Sequence, residues 1–316
     1  MKPFRVVVWV ALLAAVLVSG CGQGSREEQG TTENSSAAPE SQARQETTQT
    51  PARGDKTASG GATSGVGGET SGDVARQEAP FTAASGMNGG SEGAADSIRG
   101  VRFGKHEGYE RAIIDFGSKG ATASRVPLWS LSSPTGEGYA RITFPDVDAT
   151  SVSDGAFGGS ILDNFYVVRA PGGGMFVDIF ATGAFQYRVS ELSDPGRLVI
   201  DYRPASVDLS FPIPAQGEKT VLFQPRQGEA ITSPLRVSGY SRNSEASNTI
   251  MLIDSNGNVL SQSTALSNDW AETWGYFEAP LEFPAFQGRA TLRVGNNSPR
   301  DGSFEGVEVP VTYGGG

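Results

Sequence analysis

Three aspartates share one local setting, each between apolar neighbours: Ile114-Asp115-Phe116, Val177-Asp178-Ile179 and Ile200-Asp201-Tyr202. Paired carboxylates can hydrolyse glycosidic bonds by acid–base chemistry. Successive side chains on a strand alternate between faces, so each aspartate would point away from the apolar pair flanking it. Like charges side by side on a sheet are destabilising unless cations intervene. Arg111 and Arg203 lie an even number of positions from Asp115 and Asp201, on the same strand faces. That pattern favours a solvated, charge-alternating sheet face over a catalytic pair. His106 is the single histidine. A Ser/His/Asp triad would have to use it, and a His-based zinc site would need more than one. Gly104 and Gly108 beside it mark a hairpin tip instead. Gly172-Gly173-Gly174 could cradle phosphate, but such loops lead into a helix N-terminus. Here the loop leads into Met175-Phe176-Val177, a strand. No catalytic residue, metal site or cofactor is therefore expected. Aromatic rings that fall on no obvious core face could stack on sugars, and Trp129, Tyr139, Tyr166 and Trp270 are the candidates.

The remaining reactive side chain is Cys21, the only cysteine in 316 residues. Lys2 and Arg5 precede an apolar run of thirteen residues, 6–18. That is shorter than the ~20 residues a bilayer-spanning helix needs and has the length and flanks of an export signal. Val18-Ser19-Gly20-Cys21 then resembles the lipobox of bacterial lipoprotein signals, in which the cysteine sulfur takes the lipid. The resemblance implies a mature chain beginning at Cys21, after a signal peptide of residues 1–20. It also implies a diacylglyceryl anchor on the outer face of the membrane, which meets the two-chain requirement for stable anchoring. A lone cysteine leaves no internal disulfide even in an oxidising compartment.

Residues 21–97 read as a lipidated cysteine and a tether. From 22 to 97 there are eleven acidic and five basic residues, and Phe81 is the only aromatic. A segment so rich in Gly, Ser, Thr, Ala, Gln and Glu cannot bury enough apolar surface to offset chain entropy. As a flexible coil it would span about 45–50 Å. The whole chain has a formal net charge of −10, which argues against nucleic acid, whose phosphates are bound through Lys and Arg.

From residue 98 short apolar runs alternate with Gly, Pro, Asp and Asn, the pattern of an all-β sandwich or barrel. Strands are expected at 98–103, 111–116, 139–144, 165–169, 175–180, 185–192 and 198–202. The stretch 151–164 reads as either a short helix or an irregular loop. Asp194-Pro195-Gly196-Arg197 has the composition of a type II turn. Pro204 closes this first domain, and 205–220 reads as a connector with an edge strand at 207–211. A second series follows at 221–224, 235–240, 249–254, 258–264, 272–281, 290–295 and 306–312. Ser255-Asn256-Gly257-Asn258 carries the Asn-Gly signal of a tight hairpin with φ > 0 at both central residues. Seven strands with Trp274 on a middle one fit an immunoglobulin-like sandwich, with that ring filling its core.

Two resemblances rest on these segments. IRGVRFGKHEGYERAIIDFG (98–117) and FVDIFATGAFQYRVSELSDPGRLVIDYRP (176–204) resemble the AMIN-like domain of bacterial envelope lipoproteins, over residues 98–204. SPLRVSGYS (233–241), MLIDSNGNVL (251–260), WGYFEAPLEF (274–283) and SPRDG (298–302) resemble the immunoglobulin-like domain found with bacterial spore-germination proteins, over nearly all of 221–312 in a domain expected at 221–316. The first implies binding to peptidoglycan or an envelope protein. The second implies an extracellular accessory module without chemistry. The expected architecture is thus two β-sandwich domains, AMIN-like then immunoglobulin-like, behind a lipoprotein signal and a disordered tether. The expected role is that of a non-catalytic, membrane-anchored envelope protein recognising peptidoglycan or a wall-associated protein. A spacer or scaffold of an envelope, sporulation or germination complex is the second expectation. A glycan hydrolase using aspartate pairs is the third, and it requires two of the aspartates partly buried in one cleft.

Overall fold

The computed structural model describes residues 79–133 and 136–314. Cys21, the signal segment and residues 22–78 of the expected tether lie outside the described residues. The described chain is all β apart from one short 3-10 turn. Its first part holds β1 (Met87–Gly89), β2 (Ser97–His106), β3 (Tyr109–Ser118), β4 (Ala121–Thr122), β5 (Trp129–Ser132) and β6 (Tyr139–Phe144). It continues with β7 (Ala149–Thr150), β8 (Asp154–Ala156), β9 (Leu162–Arg169), β10 (Met175–Ala181), β11 (Phe185–Leu192) and β12 (Arg197–Pro204). The second part holds β13 (Ala215–Gln216), β14 (Thr220–Gln224), β15 (Leu235–Ser241), β16 (Ser247–Asp254) and β17 (Val259–Leu266). It ends with β18 (Trp274–Leu281), β19 (Gln287–Asn297) and β20 (Phe304–Gly314).

In the first sandwich the strands β1-β5-β6-β10-β9, with β8 beside β9, pack on β11-β12-β3-β2-β7, with β4 beside β3. Inward residues of both layers, among them Ile114, Phe116, Ile142, Val177 and Ile200, make one core. In the second sandwich β18-β15-β14-β13 packs on β17-β16-β19-β20 around Leu222, Val237, Ile250, Phe277 and Leu292. Every long strand expected from the sequence is present, and the all-β two-sandwich architecture holds.

The two sandwiches do not stand apart, as a connector at 205–220 had implied. β18 pairs in parallel with β9, Trp274 opposite Val168 and Gly275 opposite Arg169. One sheet therefore runs from β1 through β9 and β18 to β13. It curls, because Tyr139 on β6 meets Phe223 on β14 at 5.1 Å although four strands lie between them. The concave face encloses a third cluster of Tyr139, Tyr166, Phe180, Phe223, Tyr240 and Trp274. This corrects the place of Trp274. Strand alternation points Phe277 and Leu281 into the second sandwich and Trp274 to the opposite face, between the two domains. β10 explains itself the same way. Met175-Phe-Val-Asp-Ile-Phe-Ala is buried at every position because both of its faces are covered, so it reads as an unbroken apolar run.

Other corrections are local. The folded part begins well before residue 98. Phe81 lies under the guanidiniums of Arg188 and Arg203, Thr82 bridges to Tyr187, β1 pairs with β5 and Ala95 enters the first core. The glycine-rich composition that suggested a tether here has a steric cause. Gly90 has φ +84°, and a Cβ on it would lie 1.9 Å from the carbonyl oxygen of Pro127. Residues 207–211 form no strand, and Val207 and Phe211 are exposed. Gly196 lacks the positive φ that a type II turn needs at its position, and positive φ falls on Asp194 instead, at 50°. The hairpin at 254–258 is real, but its turn differs. Gly257 N–H donates to Asp254 O and Asp254 N–H to Asn258 O, with positive φ at Gly257 alone of the turn residues. That is a type I turn closed by a glycine bulge, and the Asp254 carboxylate accepts the N–H groups of Asn256 and Asn258.

The stretch 151–164 holds β8 and an irregular loop, with no helix. One buried carboxylate fixes the loop. Glu110 accepts hydrogen bonds from Ser160 N–H (2.8 Å), Ser160 Oγ (3.0 Å), Ile161 N–H (3.0 Å) and Leu162 N–H (2.8 Å). Burial opposes its ionisation, but these donors outweigh burial and hold the carboxyl below the usual glutamate range. A depressed folded pKa contributes stability above the unfolded value, about 4.3, and that contribution is lost as pH falls through the folded value. Glu110→Gln should therefore lower stability by about 1–3 kcal/mol at pH 7. Urea titrations should find the difference from the parent shrinking below about pH 4. A difference that does not change with pH would mean the ionised carboxylate is not what holds the loop.

Candidate functional site

The three aspartates are neither solvated alike nor gathered together. Asp115 comes closest to the expectation, being partly exposed and paired with Arg102, whose Nη2 donates at 2.8 Å. Asp201 is 3% exposed. Antiparallel register sets it opposite Arg188 on β11 and Arg111 on β3. Arg111 Nη2 donates to it at 2.9 Å and Arg188 Nε at 2.8 Å. Burial opposes its charge, and the two guanidiniums more than offset this, so its carboxyl sits below the ordinary aspartate range. Asp178 is fully buried, at 0% exposure. It lies opposite Arg141 on β6 and receives that guanidinium as a fork, Nε at 2.8 Å and Nη2 at 2.7 Å. Burial pushes the Asp178 carboxyl up, and Arg141 and the nearby Tyr240 hydroxyl oppose that rise.

Alternation settles their mutual placement. On β10, Val177 and Ile179 enter the first core while Asp178 shares the concave face with Phe176 and Phe180. On β12, Leu198, Ile200 and Tyr202 enter the same core from the other layer, so Asp201 faces outward on the far side. The two aspartates lie back to back across a sandwich, and the shared cleft that a carboxylate-pair hydrolase requires is not formed by them.

Three of the four aromatic candidates are interior. Trp129 packs in the first core, with Nε1 donating to Glu191 at 2.8 Å. Tyr139 and Tyr166 belong to the cluster on the concave face. Trp270 is the exposed one, at 44%. It sits on a loop pinned by Asp269, which accepts the N–H groups of Trp270, Ala271 and Glu272 and the Nε of Arg169. His106 closes the β2–β3 hairpin as expected, its ring stacked on Tyr109 with centroids 4.6 Å apart.

The concave face opens at one end into a cavity of about 730 Å³. The first sandwich supplies Glu137, Tyr139 and Arg141, and the second supplies Phe223, Arg226, Arg236 and Tyr276. Phe211 of the connector, 53% exposed, borders it. Arg141 is stacked near Phe176 and Phe223, its guanidinium carbon 4.0 and 5.0 Å from their ring centres. Burial disfavours its charge, but Asp178 more than compensates and raises its pKa. Arg226 bridges the two sandwiches, Nη2 donating to Glu137 at 2.6 Å and Nη1 to Pro212 O at 3.0 Å. Arg236 forks onto Glu278, Nε at 2.8 Å and Nη2 at 2.6 Å. The Tyr276 hydroxyl donates to the same carboxylate at 2.6 Å. Of this set the sequence reading singled out only Tyr139. The signal it passed over is the second face of each strand: Tyr139-x-Arg141, Arg236-x-Ser238-x-Tyr240 and Trp274-x-Tyr276-x-Glu278 all carry large or paired groups on the side away from the sandwich cores.

Among the described residues no cluster of three or more His, Cys, Asp or Glu could hold a metal ion. Residues 220–303 match the family model of the immunoglobulin-like domain of bacterial spore germination. The match begins with β14 and ends one residue before β20. No curated protein and no solved structure gave a significant match.

Proposed function

We propose that this chain is a lipid-anchored accessory protein of the cell envelope, held through Cys21 on the outer face of the membrane. In this reading it takes part in germination or a related envelope process and binds peptidoglycan without cutting it. The observation that carries the reading is the match to a germination-type domain at 220–303, built into one continuous sheet with the first sandwich. A binding module and its accessory domain then act as one body. The resemblance of residues 98–204 to AMIN-like domains supplies the ligand class. The lipobox-like sequence ending at Cys21 supplies the anchor.

The chain is acidic overall, so retention on a wall polymer would come from shape, hydrogen bonds and ring stacking. Such binding releases few counterions and depends little on salt. Residues 22–316, made without lipid, should stay on purified sacculi from ~0.05 to ~1 M salt, a range that shortens the screening length to about 3 Å. No muropeptides should appear in the soluble fraction. Absence of retention would remove the peptidoglycan reading, and released muropeptides would remove the non-catalytic one. The scaffold alternative draws on one feature: β17 is an edge strand without a charged residue, and Val259 and Leu266 on it are exposed. Edges of that kind accept a partner strand.

A further inference from the structure

We infer that the cavity at the open end of the concave sheet holds a short stretch of uncharged sugar, the glycan strand itself and not the ionised groups of stem peptides. This rests on the envelope-binding reading above and names the part of the polymer that the site takes.

The first argument is charge. Three arginines border the cavity, and each is already met by a carboxylate: Arg141 by Asp178, Arg226 by Glu137 and Arg236 by Glu278. Glu229, also at the rim, accepts the backbone N–H of Arg226. Three cations against four carboxylates leave no surplus positive charge to attract a ligand carboxylate. A charged ligand would shed its water here without gaining an unpaired counter-charge. The same pairs hold planar polar groups in fixed orientations. The forks of Arg141 and Arg236 employ Nε and Nη2, so Nη1 of each stays outside the pair, as a donor for a sugar hydroxyl or acetamido carbonyl. Charge-assisted hydrogen bonds of that kind are stronger than neutral ones.

The second argument is shape and polarity. Phe211, exposed, and Tyr276, half-buried, are the accessible rings at the same space, with the buried Tyr139 and Phe223 behind them. Aromatic faces carry a negative quadrupole, suited to the C–H faces of pyranose rings, whose edges then present hydroxyls to the arginine and glutamate groups. The volume of about 730 Å³ lies in the range of small-ligand clefts. Its walls come from both sandwiches and are tied by the Arg226–Glu137 pair and by the shared sheet. Such a site is formed before the ligand arrives, which reduces the ordering needed on binding.

The test uses residues 22–316 with two probes, the neutral trisaccharide of N-acetylglucosamine and a free stem tetrapeptide, titrated by calorimetry. The expected result is saturable binding of the trisaccharide, insensitive to salt, and none of the peptide. Phe211→Ala and Tyr276→Ala should each weaken trisaccharide binding by about 5-fold or more, the level of an aromatic contact worth ~1 kcal/mol. Phe211 is half exposed, so its variant should keep the parent's unfolding midpoint. Trisaccharide binding unchanged in both variants would overturn the assignment to this cavity. Peptide binding without trisaccharide binding would overturn the ligand class while leaving wall recognition in place. Retention on sacculi with neither probe bound would move recognition elsewhere on the molecule and overturn the inference alone. Trisaccharide bound by the cavity, with no retention on sacculi, would support the site and remove the peptidoglycan reading.

Discussion

Replacing Trp274 with alanine should destabilise both sandwiches together, by about 3–5 kcal/mol, and in one unfolding transition. The ring is 2% exposed. It packs edge-on against Tyr166 of the first sandwich, centroids 4.8 Å apart, and Tyr240 of the second, at 5.7 Å. Its Nε1 donates to Asp154 at 3.1 Å, and its backbone begins the parallel pairing with Val168. Removing the ring opens a cavity among side chains from both domains, which cannot collapse without shifting one sandwich against the other. Urea denaturation followed by circular dichroism, which weights both sandwiches, should give a single lowered midpoint. A loss confined to the second sandwich, with the first unfolding at its old midpoint, would mean that Trp274 serves a domain core and that the shared sheet does not couple the two. The same geometry bears on fragments. Residues 221–316 cut free would expose Val221, Phe223, Tyr240 and Trp274, all now enclosed, so the isolated half should be less stable and more prone to associate.

The sheet shared by the two sandwiches is hidden in the sequence for a reason visible in the strands. Alternation gives the inward face correctly where it is applied: Ile114, Phe116, Val177, Ile179, Ile200 and Tyr202, the neighbours of the three aspartates, all enter the first core. What periodicity does not report is whether the other face meets water. On β6, β10, β15 and β18 that face carries Tyr139, Phe176, Tyr240 and Trp274, and a second apolar face covered by a partner element looks the same as isolated surface aromatics. In sequence Trp274 therefore reads as part of the nearest sandwich core, and Tyr139 and Tyr166 read as rings on no core face. Missed strands were short. β1, β4, β5, β7, β8 and β13 have two to four residues each, too few for an alternation to register, and β1 lies in a glycine-rich stretch where close backbone approach excludes side chains. The aspartates differ from expectation for another reason. Their alternation was right, but the guanidiniums that neutralise Asp178 and Asp201 come from neighbouring strands, and cross-strand register is not written in a single strand's sequence.

Asp178 and Arg141 offer the second large effect. The pair is desolvated on the carboxylate side and only 26% exposed on the arginine side, so removing one partner strands the other. Asp178→Ala should cost about 3–5 kcal/mol, the range for breaking a buried ion pair. Arg141→Met should cost a similar amount at pH 7, where Asp178 would be left buried without its partner and must stay charged out of water or take up a proton. Its carboxyl, already pushed up by burial, would rise further with Arg141 gone. A raised folded pKa gives a penalty that is absent below the unfolded value, about 3.9, and grows as pH rises toward the folded value. Arg141→Met should therefore lose less stability at pH 4 than at pH 7, whereas Asp178→Ala, lacking the titrating group, should not follow that curve. Asp178→Leu combined with Arg141→Met replaces both charges by apolar groups and should recover most of the loss, as such replacements do for other buried pairs. Urea titrations of Asp178→Leu, Arg141→Met and their double at both pH values give the coupling directly. Costs below about 1 kcal/mol for both singles would place the pair with solvated surface bridges. That outcome would mean the concave face is open to water at this point. The cavity beside it would then lose the fixed guanidinium on which its recognition of sugar depends.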